Sequence, residues 1–193
     1  MHAAINGTGS RPAAAGTFVS LSVGDRVVYA SHGIGLVESR QSGDGDLPES
    51  ITLVFESGLR VSLPLARAGE TLRPLASEPE LDDVRRTLEA DVAAPTEPWA
   101  KRQRSTQEKV VAGQVIGLAE VVRDSLRREL VAGGASVRAL GPSERELYLR
   151  ARKLLAAEIA ACRGIEAAAA DAWIVQHVGS EQPPLTDSNQ NTS

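Results

Sequence analysis

The chain has 193 residues, 42% of them hydrophobic, and a formal net charge of -4. That apolar content is enough for real cores in one large or two small domains, while a lone cysteine, Cys162, excludes an internal disulfide, and no His and Cys cluster at metal-ligand spacing. No basic start followed by an apolar run and no stretch of about 18 apolar residues occurs, so the expectation is a cytoplasmic protein with no membrane contact, no metal and no cofactor.

Residues 1–20 combine Gly7, Gly9, Gly16 and Pro12 with Ala13 to Ala15, lack any amphipathic period and are expected to form a disordered arm. From Leu21 the pattern is β, with strands expected at Arg26 to Tyr29, Ile34 to Ser39, Ile51 to Glu56 and Leu59 to Leu63. Gly33, the loop Gly43-Asp44-Gly45-Asp46 and a hairpin at Ser57-Gly58 break them. Short antiparallel strands in so few residues predict a small SH3 or Tudor-like β-barrel over residues 21–76.

After Pro79 the period becomes helical, and Leu81, Val84 and Leu88 share one face of a short helix. Asp91 to Pro98 reads as a stiff connector. The next helix starts at Pro98 or Trp99 and runs to Ala112, stopped by Gly113. Val115, Leu118, Val122, Leu126 and Leu130 stripe a third helix that ends at Gly133-Gly134. Ser143 and Glu146 are placed for a capping box ahead of the stripe Leu147, Ala151, Leu155 and Ile159, and the alanines from Ala156 to Ala172 predict a last helix holding Trp173. The predicted fold class is thus α+β: an N-terminal β-barrel, then an all-α helical bundle over residues 77–178, then a disordered tail over residues 179–193.

Charge is segregated along the chain. Lys+Arg against Asp+Glu is 8 against 14 in residues 1–98, 12 against 6 in residues 99–153, and 1 against 5 in residues 154–193. A basic block between acidic flanks indicates a local anionic partner. Within that block Trp99 stands at a helix start, followed by Lys101, Arg102 and Arg104, with Trp99, Arg102 and Thr106 on one side of the helix. A flat apolar ring beside cations can wedge into nucleic acid while the charges hold phosphates; it can equally pack at a core edge under its Lys and Arg neighbours. Arg123, Arg127 and Arg128 lie opposite much of the next helix's apolar stripe and would either extend the positive surface or form a solvated face.

Other candidates are weaker. His32 has no Ser, Cys or carboxylate at triad-like spacing and is expected to hydrogen-bond the strand bend, and Gly33-Ile34-Gly35 lacks the third glycine and following helix of a phosphate loop. Glu144 and Glu146 open a helix, where acids favour the dipole, and are not a catalytic pair. No catalytic residues and no enzyme activity are expected.

Val23-Gly24-Asp25, Val27-Val28-Tyr29, His32-Gly33 and Val37-Glu38 resemble the opening of the CarD family of bacterial RNA-polymerase-binding regulators, a module shared with transcription-repair coupling factors. Leu59 to Pro64 resembles the family's later strand ending in proline. Trp99 with its basic followers, Ala119-Glu120-Val121-Val122-Arg123-Asp124, Arg127-Arg128, Glu144, Ala151-Arg152 and Glu158 fall in the family's order, so the resemblance spans about residues 21–176.

The resemblance implies a Tudor-like domain that docks on the RNA polymerase β subunit and a helical domain that touches promoter DNA, the protein acting as a monomer and stabilising the open complex. Trp99 would wedge into the minor groove at the upstream edge of the bubble without reading sequence, and Lys101, Arg102 and Arg104 would contact the backbone; the charge pattern adds Arg123 and Arg127 to the expected DNA-binding set. Ser62 stands where family members often carry a basic residue used against polymerase, so the polymerase-binding set is Arg40, Arg60, Val61 and Ser62. The alternative is a protein-interaction adaptor with a non-polymerase partner and a buried, structural Trp99; exposure of Trp99 separates the two.

Overall fold

The computed structural model describes residues 21–44, 48–91, 97–132 and 140–179. The expected arm at residues 1–20, Asp46, the middle of the Asp91 to Pro98 connector, Gly133-Gly134 and the tail beyond Gly179 lie outside them.

Alternating apolar and polar residues set the first four strands, β1 (Arg26–Tyr29), β2 (Gly33–Gln41), β3 (Ser50–Phe55) and β4 (Arg60–Pro64). A short helix, α1 (Leu65–Thr71), and a strand, β5 (Leu72–Pro74), follow; neither was expected, because seven residues of LARAGET and three of LRP are too short for any periodicity. All pairings are antiparallel, in the order β4-β3-β2-β1-β5. The expected small Tudor-like barrel takes the form of a five-stranded sheet that does not close, with β4 and β5 at its two edges.

A register shift between Val37 and Ser39 leaves Glu38 at a β-bulge. The sheet uses both faces, as period two requires. Val27, Val37, Ile51, Leu53 and Phe55 pack with Ala68 of α1 in one core. Val28, one residue on, is 5% exposed and lies with Ala30, Ile34, Leu118 and Leu154 where the sheet meets the helices.

The helical half comprises α2 (Glu78–Glu89), α3 (Trp99–Ala112), α4 (Val115–Ala132), α5 (Pro142–Arg163) and α6 (Ala167–Gly179). Its core joins Leu81, Val84 and Leu88 of α2 to Leu118, Val122, Leu155, Ile159 and Ile174. Three local readings change. At α5 the cap lies upstream of the expected Ser143–Glu146 box: Gly141 is the N-cap, Pro142 opens the helix, and the Gly141 N–H donates to Glu144 at 3.0 Å. The alanine run straddles two helices, because Gly164 at φ 64° ends α5 in the left-handed conformation that glycine adopts without strain. Gly179, expected in the tail, closes α6.

Around the β1–β2 turn, the His32 N–H donates to the Tyr29 carbonyl at 2.9 Å, while its ring packs on Tyr29 and Phe55 at centroid distances of 5.2 and 5.4 Å. The ring's role is packing and not the expected hydrogen bond. Gly35 lies under Phe55, whose ring a Cβ there would meet at 3.0 Å, so it serves cross-strand packing.

Candidate nucleic-acid interface

Helix α3 inverts the usual charge pattern of a helix. Acids normally occupy the first turn, where they meet the positive end of the dipole, as Glu78 and Glu80 do in α2 and Glu144 in α5. The first turn of α3 carries no acid and holds Lys101 and Arg102 instead, with Arg104 just beyond. Pro98, at φ -54° and ψ 143°, turns the chain in, and its carbonyl accepts the N–H groups of Lys101 and Arg102, both at 3.1 Å. Cations piled on a positive helix end attract anions strongly and cost the free fold some stability.

Only Val110 of α3 is buried. The helix is thus anchored near its C-terminal end, and its first residue, Trp99, is 57% exposed. A buried, structural Trp99, which the adaptor reading requires, is not what the fold builds.

The three cations near Trp99 are held differently. Lys101 is exposed and bonded to Glu97 at 2.6 Å, which raises its pKa from the ordinary lysine value. Arg102 donates to the Glu97 carbonyl at 3.0 Å, while its Nε is buried without a partner. It lines a polar cleft of about 150 Å³ together with Thr106, Lys109, Asp124, Arg128 and Glu144. Arg104 is exposed and has no ion-pair partner among the described residues.

Two of the expected DNA contacts, Arg123 and Arg127, are engaged within the fold. Arg123 is 8% exposed, and its guanidinium is spent on the Thr87 carbonyl at 3.1 Å and on Asp124 at 2.7 Å. Arg127 donates to the Glu89 carbonyl and pairs with Asp91, both at 3.3 Å. Together they clamp α4 to the end of α2, because a buried guanidinium needs acceptors and the last carbonyls of a helix are free to supply them. Arg128 pairs with Glu144 at 2.8 Å. Burial pushes Glu144 up, but the Arg128 bond and the Gly141 N–H outweigh it and hold the carboxyl below its ordinary value. Much of the basic block is thus internal ion pairing, which charge counting along a sequence does not register.

The second candidate surface is the sheet edge at β4. Arg60 and Ser62 are exposed, whereas Val61 faces inward and packs on the sheet core. Val61 is thus partly buried, less open to a partner than Arg60 and Ser62. Arg60 grips Glu38 at the bulge through both carboxylate oxygens, at 2.7 to 3.2 Å, and this bond lowers the Glu38 pKa and raises that of Arg60. The Ser62 hydroxyl shares a 3.0 Å hydrogen bond with Thr52. Arg40 pairs with Glu49 at 2.6 Å and also donates to the Leu21 carbonyl at 3.2 Å. Glu38 and Glu49, which neutralise the two arginines, were missed because cross-strand partners lie far apart in sequence. Glu97, which restrains Lys101, had a readable signal in its i,i+4 spacing.

Among the described residues no group of His, Cys, Asp or Glu could hold a metal ion, and no helix is long and apolar enough to cross a membrane.

Residues 83–175 match the family model described as the CarD C-terminal domain, and residues 21–76 match that of the CarD-like/TRCF RID domain. Over 147 residues the chain is 24% identical to a Bacillus subtilis (strain 168) protein named "Putative transcription factor YdeB", the match covering 74% of this chain and 92% of that protein.

Proposed function

We infer that this chain, which belongs to the CarD-like family and is a transcription regulator, bridges RNA polymerase and promoter DNA to stabilise the open complex. In this reading the β4 edge docks on the polymerase β subunit. An unpaired strand edge accepts a partner strand through backbone bonds, and outward side chains such as Arg60 and Ser62 select the partner. The first turn of α3 then meets DNA at the upstream edge of the bubble, Trp99 wedging into the minor groove of a step already distorted and Lys101, Arg102 and Arg104 resting on phosphates.

The observation that carries the reading is the exposed Trp99 on a helix end made doubly positive by dipole and side chains. With Arg123 and Arg127 engaged in the fold, at most three cations neutralise phosphates. Affinity for free duplex is then weak, with a salt slope no steeper than about -3. Tethering through polymerase supplies the local concentration that such a weak contact needs.

The test is the lifetime of the open promoter complex with and without the protein, beside recovery of the β subunit in a pull-down. Neutralising Lys101, Arg102 and Arg104 shortens the lifetime alike on different promoters, since phosphate contacts carry no sequence code, and leaves pull-down intact. Arg60→Ala with Ser62→Asp lowers recovery while the sheet stays folded. Tight, sequence-selective binding to isolated duplex would refute the reading in favour of operator recognition.

A further inference from the structure

Arg73 ties the sheet to the helices through its guanidinium. Arg73, on the edge strand β5, forks onto Glu158 of α5, with Nη1 to Oε1 at 2.5 Å and Nη2 to Oε2 at 2.7 Å. The same Nη2 donates to the carbonyl of Gly113 at 2.6 Å, and Nε reaches that carbonyl at 3.3 Å. Glu158 is 1% exposed and also accepts the Ala76 N–H, in the segment joining the two halves, at 2.9 Å. Sheet, connecting segment, α5 and the end of α3 therefore converge on one ion pair.

Steric contact reinforces it. Gly113 caps α3 at φ 61°, and a Cβ there would lie 2.8 Å from the Ala30 Cβ and 2.9 Å from its Cα, so the α3 terminus presses directly on the turn between β1 and β2. On the next face Leu154 of α5 sits 3.3 Å from where a Cβ of Gly33 would be.

A buried ion pair contributes little net stability over an apolar substitute, but it admits few geometries, since any misalignment strands a charge. The geometry points to Arg73 and Glu158 as positioning residues that fix the angle between the β4 edge and α3, and so the place of Trp99 relative to docked polymerase. Fourteen residues of α3 span about 20 Å, so a tilt of about 10° at the Gly113 end carries Trp99 about 3 Å, nearly one base-pair step. This inference rests on the bridging function proposed above; its structural half stands apart from it.

The experiment uses the full chain in two readouts. Spin labels at Glu70→Cys on α1 and Gln107→Cys on α3, with Cys162→Ser throughout, report the sheet-to-helix distance distribution. Open-complex lifetime reports function. Glu158→Gln removes the charge at constant shape, and Arg73→Lys keeps the charge but cannot hold Glu158 and the Gly113 carbonyl together. Both variants should broaden the distance distribution, recover polymerase as the unaltered chain does, and lose the lifetime gain down to the level of Trp99→Ala. If Glu158→Gln fails to fold, Arg73→Lys carries the test. An unchanged distribution in a folded variant overturns the inference, as does a broadened distribution with full lifetime. If the unaltered chain gives no lifetime gain, the bridging function fails, while the label distances still decide whether the pair sets the angle.

Discussion

Replacing Trp99 by alanine separates surface wedge from core residue by magnitude. With Trp99 57% exposed, two-fifths of a side chain of about 250 Å², or about 100 Å², is hidden, which at about 25 cal/mol per Å² bounds the loss near 2.5 kcal/mol. Alanine keeps the Cβ area, the denatured chain already hides about 10–40% of such surface, and alanine is the better helix former by a few tenths of a kcal/mol. The expected loss is about 1 kcal/mol, against about 3–5 kcal/mol for a buried tryptophan. Urea unfolding should show a small shift of the midpoint with an unchanged slope, since the surface exposed on unfolding is nearly the same. In the promoter assay the same variant should shorten the open-complex lifetime while polymerase recovery holds. A stability loss near 3 kcal/mol would place the ring in the core and refute the wedge.

Gly113→Ala should cost about 2–4 kcal/mol in thermal unfolding, since it combines a left-handed backbone with a Cβ 2.8 Å from Ala30. Arg123→Ala should cost about 2–3 kcal/mol by leaving the Thr87 carbonyl without its donor, yet leave the salt slope of DNA binding unchanged; a shallower slope would return Arg123 to the interface. Glu144, held below its ordinary value, adds stability that is present above the unfolded carboxylate range near pH 4.3 and lost as pH falls through its lower folded value. Acid titration of stability between pH 5 and 2 should therefore be shallower for Glu144→Gln than for the unaltered chain, and identical curves would assign the acid loss to other carboxylates.

The four longer strands, the hairpin at Gly58, the apolar stripe of α2 and that of α4 as far as Leu126 were legible because each is written within a few residues, by alternation for a half-buried strand and i to i+4 spacing for a helix face, whereas Leu130, expected to continue the α4 stripe, is exposed. Gly113 as a helix stop and Trp99 as a helix start were equally local. What the sequence could not decide was which charges are spent. Arg123 and Arg127 look like surface cations along their own helix, and only the approach of α2 brings carbonyls to them. Period two sets Arg60 and Val61 on opposite faces, but which face meets the core is decided only when the sheet packs. Arg73 and Glu158 are separated by 85 positions, and no spacing rule joins them. Local patterning fixes elements because it acts through backbone geometry, whereas the partner of a charge depends on desolvation and on which elements meet, and those are properties of the packed chain alone.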